Sequence, residues 1–113
     1  MEKQYQDSVI YQICFYVPET HTESVKNALF EAGAGQLGSY SQCAWQTLGQ
    51  GQFKPSDESN PFLGKADKIE TVKEHKVELL CEGKYLQSTI QALKTSHPYE
   101  MPAFFITESV SVK

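Results

Sequence analysis

Two residue types in this sequence can ligate or exchange protons near neutral pH: the histidines His21, His75 and His97, and the cysteines Cys14, Cys43 and Cys81. The densest grouping of such chemistry is His97-Pro98-Tyr99-Glu100-Met101-Pro102-Ala103. It sets an imidazole and a carboxylate three residues apart in a bend constrained by prolines. With a thiolate from a neighbouring strand, Cys43, the group would suit zinc or copper. The sequence therefore nominates His97, Glu100 and Cys43 as metal ligands, and a divalent metal is the one cofactor it suggests. The same bend also reads as structure alone. Pro98 presets φ, His97 sits at a helix end where a cation is favoured, and Tyr99 packs.

The other groups are less pointed. His75 and Glu74 are adjacent in an extended run, so they face opposite sides and form no dyad. His75 falls on the apolar parity and is expected half-buried and hydrogen-bonded, whereas His21 is expected in water. Cys14 and Cys81 read as small buried hydrophobes. The glycines at 33, 35 and 38 lack the context of a phosphate loop and follow a helical stretch, so they read as a helix stop.

The elements that would position these residues show in the periodicity. Val9, Tyr11, Ile13, Phe15 and Val17 alternate, which predicts a strand over 9–17 ended by Pro18. Thr20 and Glu23 fit a capping box, with Thr22 as a rival cap. Val25, Ala28, Leu29 and Ala32 form the helical stripe that follows. Residues 38–48 have strand composition. Gly49-Gln50-Gly51 reads as a turn, with residues 52–54 as a short return strand. Residues 55–68 form the one long polar loop, the place where function or mobility is expected. Residues 70–82 are the longest strand candidate. Lys73 and Lys76 alternate there with Glu74 and Glu78, like a solvated or edge face that discourages aggregation. Leu86, Thr89, Ile90 and Leu93 define a second helix over about 85–95, which must end near Ser96 because Pro98 disfavours a helical His97. A last strand runs over about 103–110, with Phe104 and Ile106 on one face and Phe105 on the other. The order β-α-β-β-α-β predicts an α+β class. It is the ferredoxin-like sandwich, an antiparallel sheet with two helices on one face and a long hairpin.

Composition narrows the function. One domain fits 113 residues, with residues 1–7 and 111–113 as loose ends. A 40% apolar content with thirteen aromatics supplies a core. The net charge is −4 and all ten basic residues are Lys. Nucleic acid is therefore not an expected partner, because bidentate readout of phosphate and guanine relies on Arg. No segment approaches a membrane span, and three scattered cysteines exclude a disulfide scaffold. A cytoplasmic protein with free thiols is the expectation.

Two segments carry more than pattern. One is Gly33-Ala34-Gly35-Gln36-Leu37-Gly38 through Cys43, continued by Gly49-Gln50-Gly51-Gln52-Phe53-Lys54-Pro55; the other is the His97–Ala103 bend. With the turn from Pro61 to Gly64, they resemble the inserted domain of the NIF-three-like family, which is related in fold to CutA and PII proteins. Met101 and Phe105 depart from the resemblance, since acidic residues are common at both positions in that family. The resemblance implies a CutA/PII-like fold and self-association, with a trimer favoured because strands of such relatives extend one another's sheets. In full-length members a two-metal site lies in flanking lobes, which this sequence does not contain. Their GTP cyclohydrolase name is therefore not transferred.

The expectation is a non-enzymatic, oligomeric binding or regulatory module that senses a divalent metal or small metabolite, or docks on a protein partner. The alternative is a small metal-dependent hydrolase or cyclohydrolase whose site forms between subunits, which would need three or four converging ligands.

Overall fold

The alternating run of β-branched and aromatic residues near the N-terminus forms β1, Ile10–Pro18. In the computed structural model, which describes residues 5–58 and 64–110, Tyr11, Ile13, Phe15 and Val17 of this strand are all buried. They face one hydrophobic cluster with Val25, Leu29, Leu86 and Leu93 from two helices. Full burial of each such side chain contributes roughly 1.5–3 kcal/mol. That cluster fixes which face of the sheet the helices cover.

A single 3-10 turn, Glu19–His21, leads from β1 into α1, Thr22–Glu31. The capping box does not form. His21 is the N-cap residue and no side chain caps the helix. Thr20 Oγ1 lies instead 2.9 Å from His21 Nδ1, and Glu23 pairs with Lys26 at 3.0 Å. The 3-10 turn displaces the start of α1 past Thr20, which leaves Thr22 inside the helix. The stop behaves as expected. Gly33 has φ +118°, its N–H donates to the Phe30 carbonyl at 3.1 Å, and the Ala34 N–H donates to Leu29 at 3.1 Å. This pair of bonds is a Schellman cap, which satisfies the last carbonyls of the helix.

The second strand differs from expectation. Residues 38–44 join no strand of the sheet; Leu37 and Tyr40 exchange two 3.0 Å backbone bonds around a tight turn at Gly38 and Ser39. The strand β2 is Trp45–Phe53 and runs straight through Gly49-Gln50-Gly51. Those glycines make no turn, because the strand pairs in unbroken register with β3, Glu70–Glu82, from Trp45 opposite Glu78 to Phe53 opposite Glu70. Gly83 begins α2, Gly83–Ser96, rather than merely ending β3. Its Cα is crowded by the Gln6 carbonyl, so no side chain fits there. β4, Phe104–Glu108, completes an antiparallel sheet of order β2-β3-β1-β4. The Pro61–Gly64 turn expected from sequence falls largely outside the described residues, as do residues 1–4 and 111–113 of the expected loose ends.

This topology corrects one more expectation. β3 is an inner strand, so its alternating Lys and Glu residues guard no edge. The edges are β2, which carries no charged residue, and β4, which carries only Glu108. Among the described residues, no helix is long and apolar enough to cross a membrane.

Candidate functional site

The two motif segments meet at one end of the sheet. β1 ends at Pro18, opposite Glu74, while the β2–β3 ribbon continues four residue pairs further to Phe53 and Glu70. The 97–102 bend, delivered by the end of α2, closes over this step. His97 is buried, 6% exposed. Its Nε2–H donates to the Tyr16 carbonyl at 2.6 Å, and its Nδ1 accepts the Tyr99 N–H at 3.1 Å. Those two bonds define the Nε2-protonated tautomer and occupy both ring nitrogens. Burial pushes the His97 pKa down from 6.5; the Tyr16 bond pulls it back in part, and the charge of His21 lowers it further.

Tyr99 carries the bend onto the ribbon. Its ring lies 4.9 Å from the His97 ring and 6.0 Å from Phe53, and its hydroxyl donates to Glu74 Oε2 at 3.3 Å. The Glu74 carboxylate rests against the bare Cα of Gly51, where a Cβ would collide with it. Gly51 and Phe53 thus bind the Gly49–Pro55 motif to the His97–Ala103 motif. Burial raises the Glu74 carboxyl above its ordinary 4.5, and the Tyr99 bond offsets part of that. Burial, then the Glu74 charge and hydrogen bond, push Tyr99 up to about 12. Both shifts leave the phenol protonated and donating, so the cluster clamps the ribbon to the body of the sheet. The contact between Glu74 and Tyr99 is not legible in the sequence, because it depends on strand register.

The other nominated ligands lie elsewhere. Cys43 is held near the far end of β3: its N–H donates to the Gly35 carbonyl at 2.8 Å, and the Gly35 N–H donates to Leu80 at 2.7 Å. Leu80 is six positions along β3 from Glu74, roughly 20 Å by strand rise. Glu100 is exposed in the bend. Within one chain, then, His97, Glu100 and Cys43 do not converge. Among the described residues no group of three or more His, Cys, Asp or Glu side chains is arranged to hold a metal ion. A calorimetric titration with Zn²⁺ or Cu²⁺ is expected to give the same affinity for the wild type and for His97→Gln. A tenfold loss in the variant would show that the imidazole leaves its backbone partners to bind metal.

The remaining residues take plainer positions. His75 is half-buried, with Nδ1 2.7 Å from the Thr22 hydroxyl, as expected. His21 is half-buried rather than solvated. Cys81 is buried beside Thr89, and burial pushes its thiol up from 9.0, so it packs as a small hydrophobe. Cys14 does not; its parity puts it on the sheet face that no helix covers, half-exposed.

That uncovered face holds the second candidate feature. Trp45, Glu78, Cys14 and Phe105 pair in register, one per strand, across the whole sheet. The ends of the row are aromatic and wet, Trp45 at 61% and Phe105 at 60% exposure. Between them the Gln12 amide donates to Glu78 Oε2 at 3.0 Å. An open cleft of about 700 Å³ lies at the far pole, lined by Ile10, Leu37, Tyr40 and Glu82 among others.

No protein-family model matches the chain. A protein of Halalkalibacterium halodurans named GTP cyclohydrolase 1 type 2 homolog is 42% identical over 95 residues, 84% of this chain and 26% of that protein. The chain spans about a quarter of the length of the curated relatives it matches. Among solved structures, a Bacillus cereus protein related to NIF3 superposes with a TM-score of 0.77 at 31% identity, covering 92% of this chain and 26% of that one. CutA from Synechococcus elongatus superposes with a TM-score of 0.64 at 17% identity, covering 94% and 80%; at that identity the likeness is one of fold. The residues that bring the two motifs together thus sit in a domain of the NIF3-like type, similar to a segment about a quarter the length of those relatives.

Proposed function

We propose that this domain is a non-catalytic, self-associating binding module that acts in the cytoplasm, where its cysteines stay reduced. The observation that carries the reading is the β2 edge. It is a nine-residue strand with no charge and no proline, exposed over most of its length. Among the described residues its outer N–H and C=O groups have no neighbouring strand, since β2 ends the sheet. Such an edge is a template for another strand, and proteins that stay monomeric usually blunt theirs with Lys, Pro or bulges. The CutA-like fold supports the same reading, because assembly through sheet edges is what the resemblance implies. The clamp at Glu74 and Tyr99 would hold the edge in position rather than perform chemistry.

The cyclohydrolase activity named for the longer relatives is not assigned to this segment. Thr47, exposed in the middle of β2, provides the test. Thr47→Lys places a charge on the edge and is expected to shift the chain to a single-copy mass in light scattering at micromolar concentration. An unchanged assembly would show that the β2 edge is not what joins the copies.

A further inference from the structure

We infer that the open cleft at the far pole of the sheet binds a small organic amine, its ammonium on the Glu82 carboxylate and its apolar body against Ile10, Leu37 and the Tyr40 ring. Every wall of the cleft comes from one chain, so the inference stands apart from self-association. Ile10 and Glu82 pair in register where β1 meets β3, and both fall on the uncovered face of the sheet. The turn at residues 36–40 stands across the cleft from them. Its base is tied to the sheet, because the Gly35 N–H donates to the Leu80 carbonyl at 2.7 Å and the Cys43 N–H donates to the Gly35 carbonyl at 2.8 Å. The paired backbone bonds between Leu37 and Tyr40 hold its tip. The cleft is therefore preformed, as small-molecule sites usually are, and about 700 Å³ is an ordinary size for one.

Charge and shape select the ligand class. Glu82 is the charged residue of the lining, and no Lys, Arg or His accompanies it. It is the N-cap residue of α2, yet its side chain accepts no helix N–H. Among the described residues no hydrogen bond or ion pair engages its carboxylate. The ammonium of the neighbouring Lys84 lies instead over the Tyr85 ring, 5.2 Å from its centroid. The net charge of −4 adds a field that draws cations and repels anions. A bare divalent metal would find one carboxylate where it needs several donors. An ammonium needs one anion and neutral acceptors, and the side-chain oxygens of Gln36 and Ser39 line the same cleft. The walls suit an apolar body. Tyr40 is 73% and Leu37 41% exposed, so both have surface left to bury, and a tyrosine face also attracts a cation.

The probe is phenethylamine, with 3-phenylpropionate as an anionic counterpart of similar shape. Added to the full chain and followed in the amide proton–nitrogen NMR spectrum, the amine should move the signals of residues 36–40 and saturate at millimolar concentration. Glu82→Gln should weaken the amine about tenfold, as expected for loss of a charge-assisted hydrogen bond in a partly wet site. Tyr40→Ala should weaken it roughly threefold. The Tyr40 ring is exposed and its turn is held by backbone bonds, so this second variant keeps the fold and tests the wall on its own. The acid should bind at least about tenfold more weakly than the amine. An amine that leaves the signals of residues 36–40 unmoved, or that binds no better than the acid, would overturn the inference. So would an unchanged affinity in a folded Glu82→Gln chain. None of these results bears on self-association, and a single-copy mass in light scattering would leave this site standing.

Discussion

Replacing His97 by Ala is expected to destabilise the domain by about 3 kcal/mol, measured by denaturant unfolding at pH 7.5. Two losses add. A buried ring disappears, and large-to-small changes in a core cost roughly 2–5 kcal/mol. The Tyr16 carbonyl also loses its donor, at roughly 1–3 kcal/mol for a buried group. Partial collapse of the bend and entry of water keep the sum near the middle of these ranges. The unfolding temperature should drop by roughly 12–24 °C for a chain of this size. His97→Gln, which can keep a donor toward Tyr16, should recover part of the loss. A change below about 1 kcal/mol for the alanine variant would show that the bend holds without the imidazole.

The same residue sets an acid dependence. Its folded pKa lies below the unfolded value of 6.5 because burial disfavours the cation. Below 6.5 the unfolded chain takes up a proton that the folded chain refuses. The contribution is therefore complete above pH 6.5 and declines as pH falls through the window beneath it, with a slope of up to about 1.4 kcal/mol per pH unit. Protonation of Nδ1 would also set two donors against each other, since that atom accepts the Tyr99 N–H. Unfolding curves at pH 7.5 and 5.5 should thus converge for His97→Gln relative to the wild type. Equal pH dependence in the two proteins would contradict the assignment.

Gly33→Ala is expected to cost about 3 kcal/mol as well. At φ +118° an L side chain is strained, and the Cβ would stand 2.5–2.9 Å from three atoms of Tyr85. Left-handed strain accounts for roughly 1–2 kcal/mol and overpacking for roughly 1–3. Tyr85 is on the first turn of α2, so the clash would drive apart the end of α1 and the start of α2, where Ser88 Oγ also donates to the Ala32 carbonyl at 3.1 Å. Gly38 is the control. Its φ is also positive, but no atom lies within 4 Å of a Cβ there, so Gly38→Ala should show the backbone strain without the clash. Equal losses at both positions would mean that Tyr85 yields.

These residues also show what was legible beforehand. The β1 stripe and the Val25–Leu29 and Leu86–Leu93 stripes face one core, so burial wrote them into the sequence as periodicity. The element order followed, and with it the sheet topology and the two motifs. β2 was misread because it is wet on both faces. With no burial to impose alternation, its glycines looked like punctuation. The capping box failed for a different reason, a 3-10 turn that moved the N-cap from Thr20 to His21. At the bend, the sequence named His97 but not its partners. The Tyr16 carbonyl is backbone, and Glu74 reaches Tyr99 only through the register of β3. The row from Trp45 to Phe105 is likewise a product of three registers, invisible until all were known.

The functional account turns on whether the uncovered face and the open β2 edge meet another copy. Light scattering coupled to size separation measures this directly on the unmodified chain, at a series of concentrations from nanomolar to high micromolar. The account predicts a mass of two or more whole chains throughout the micromolar range. A mass equal to one chain across the whole series would contradict it.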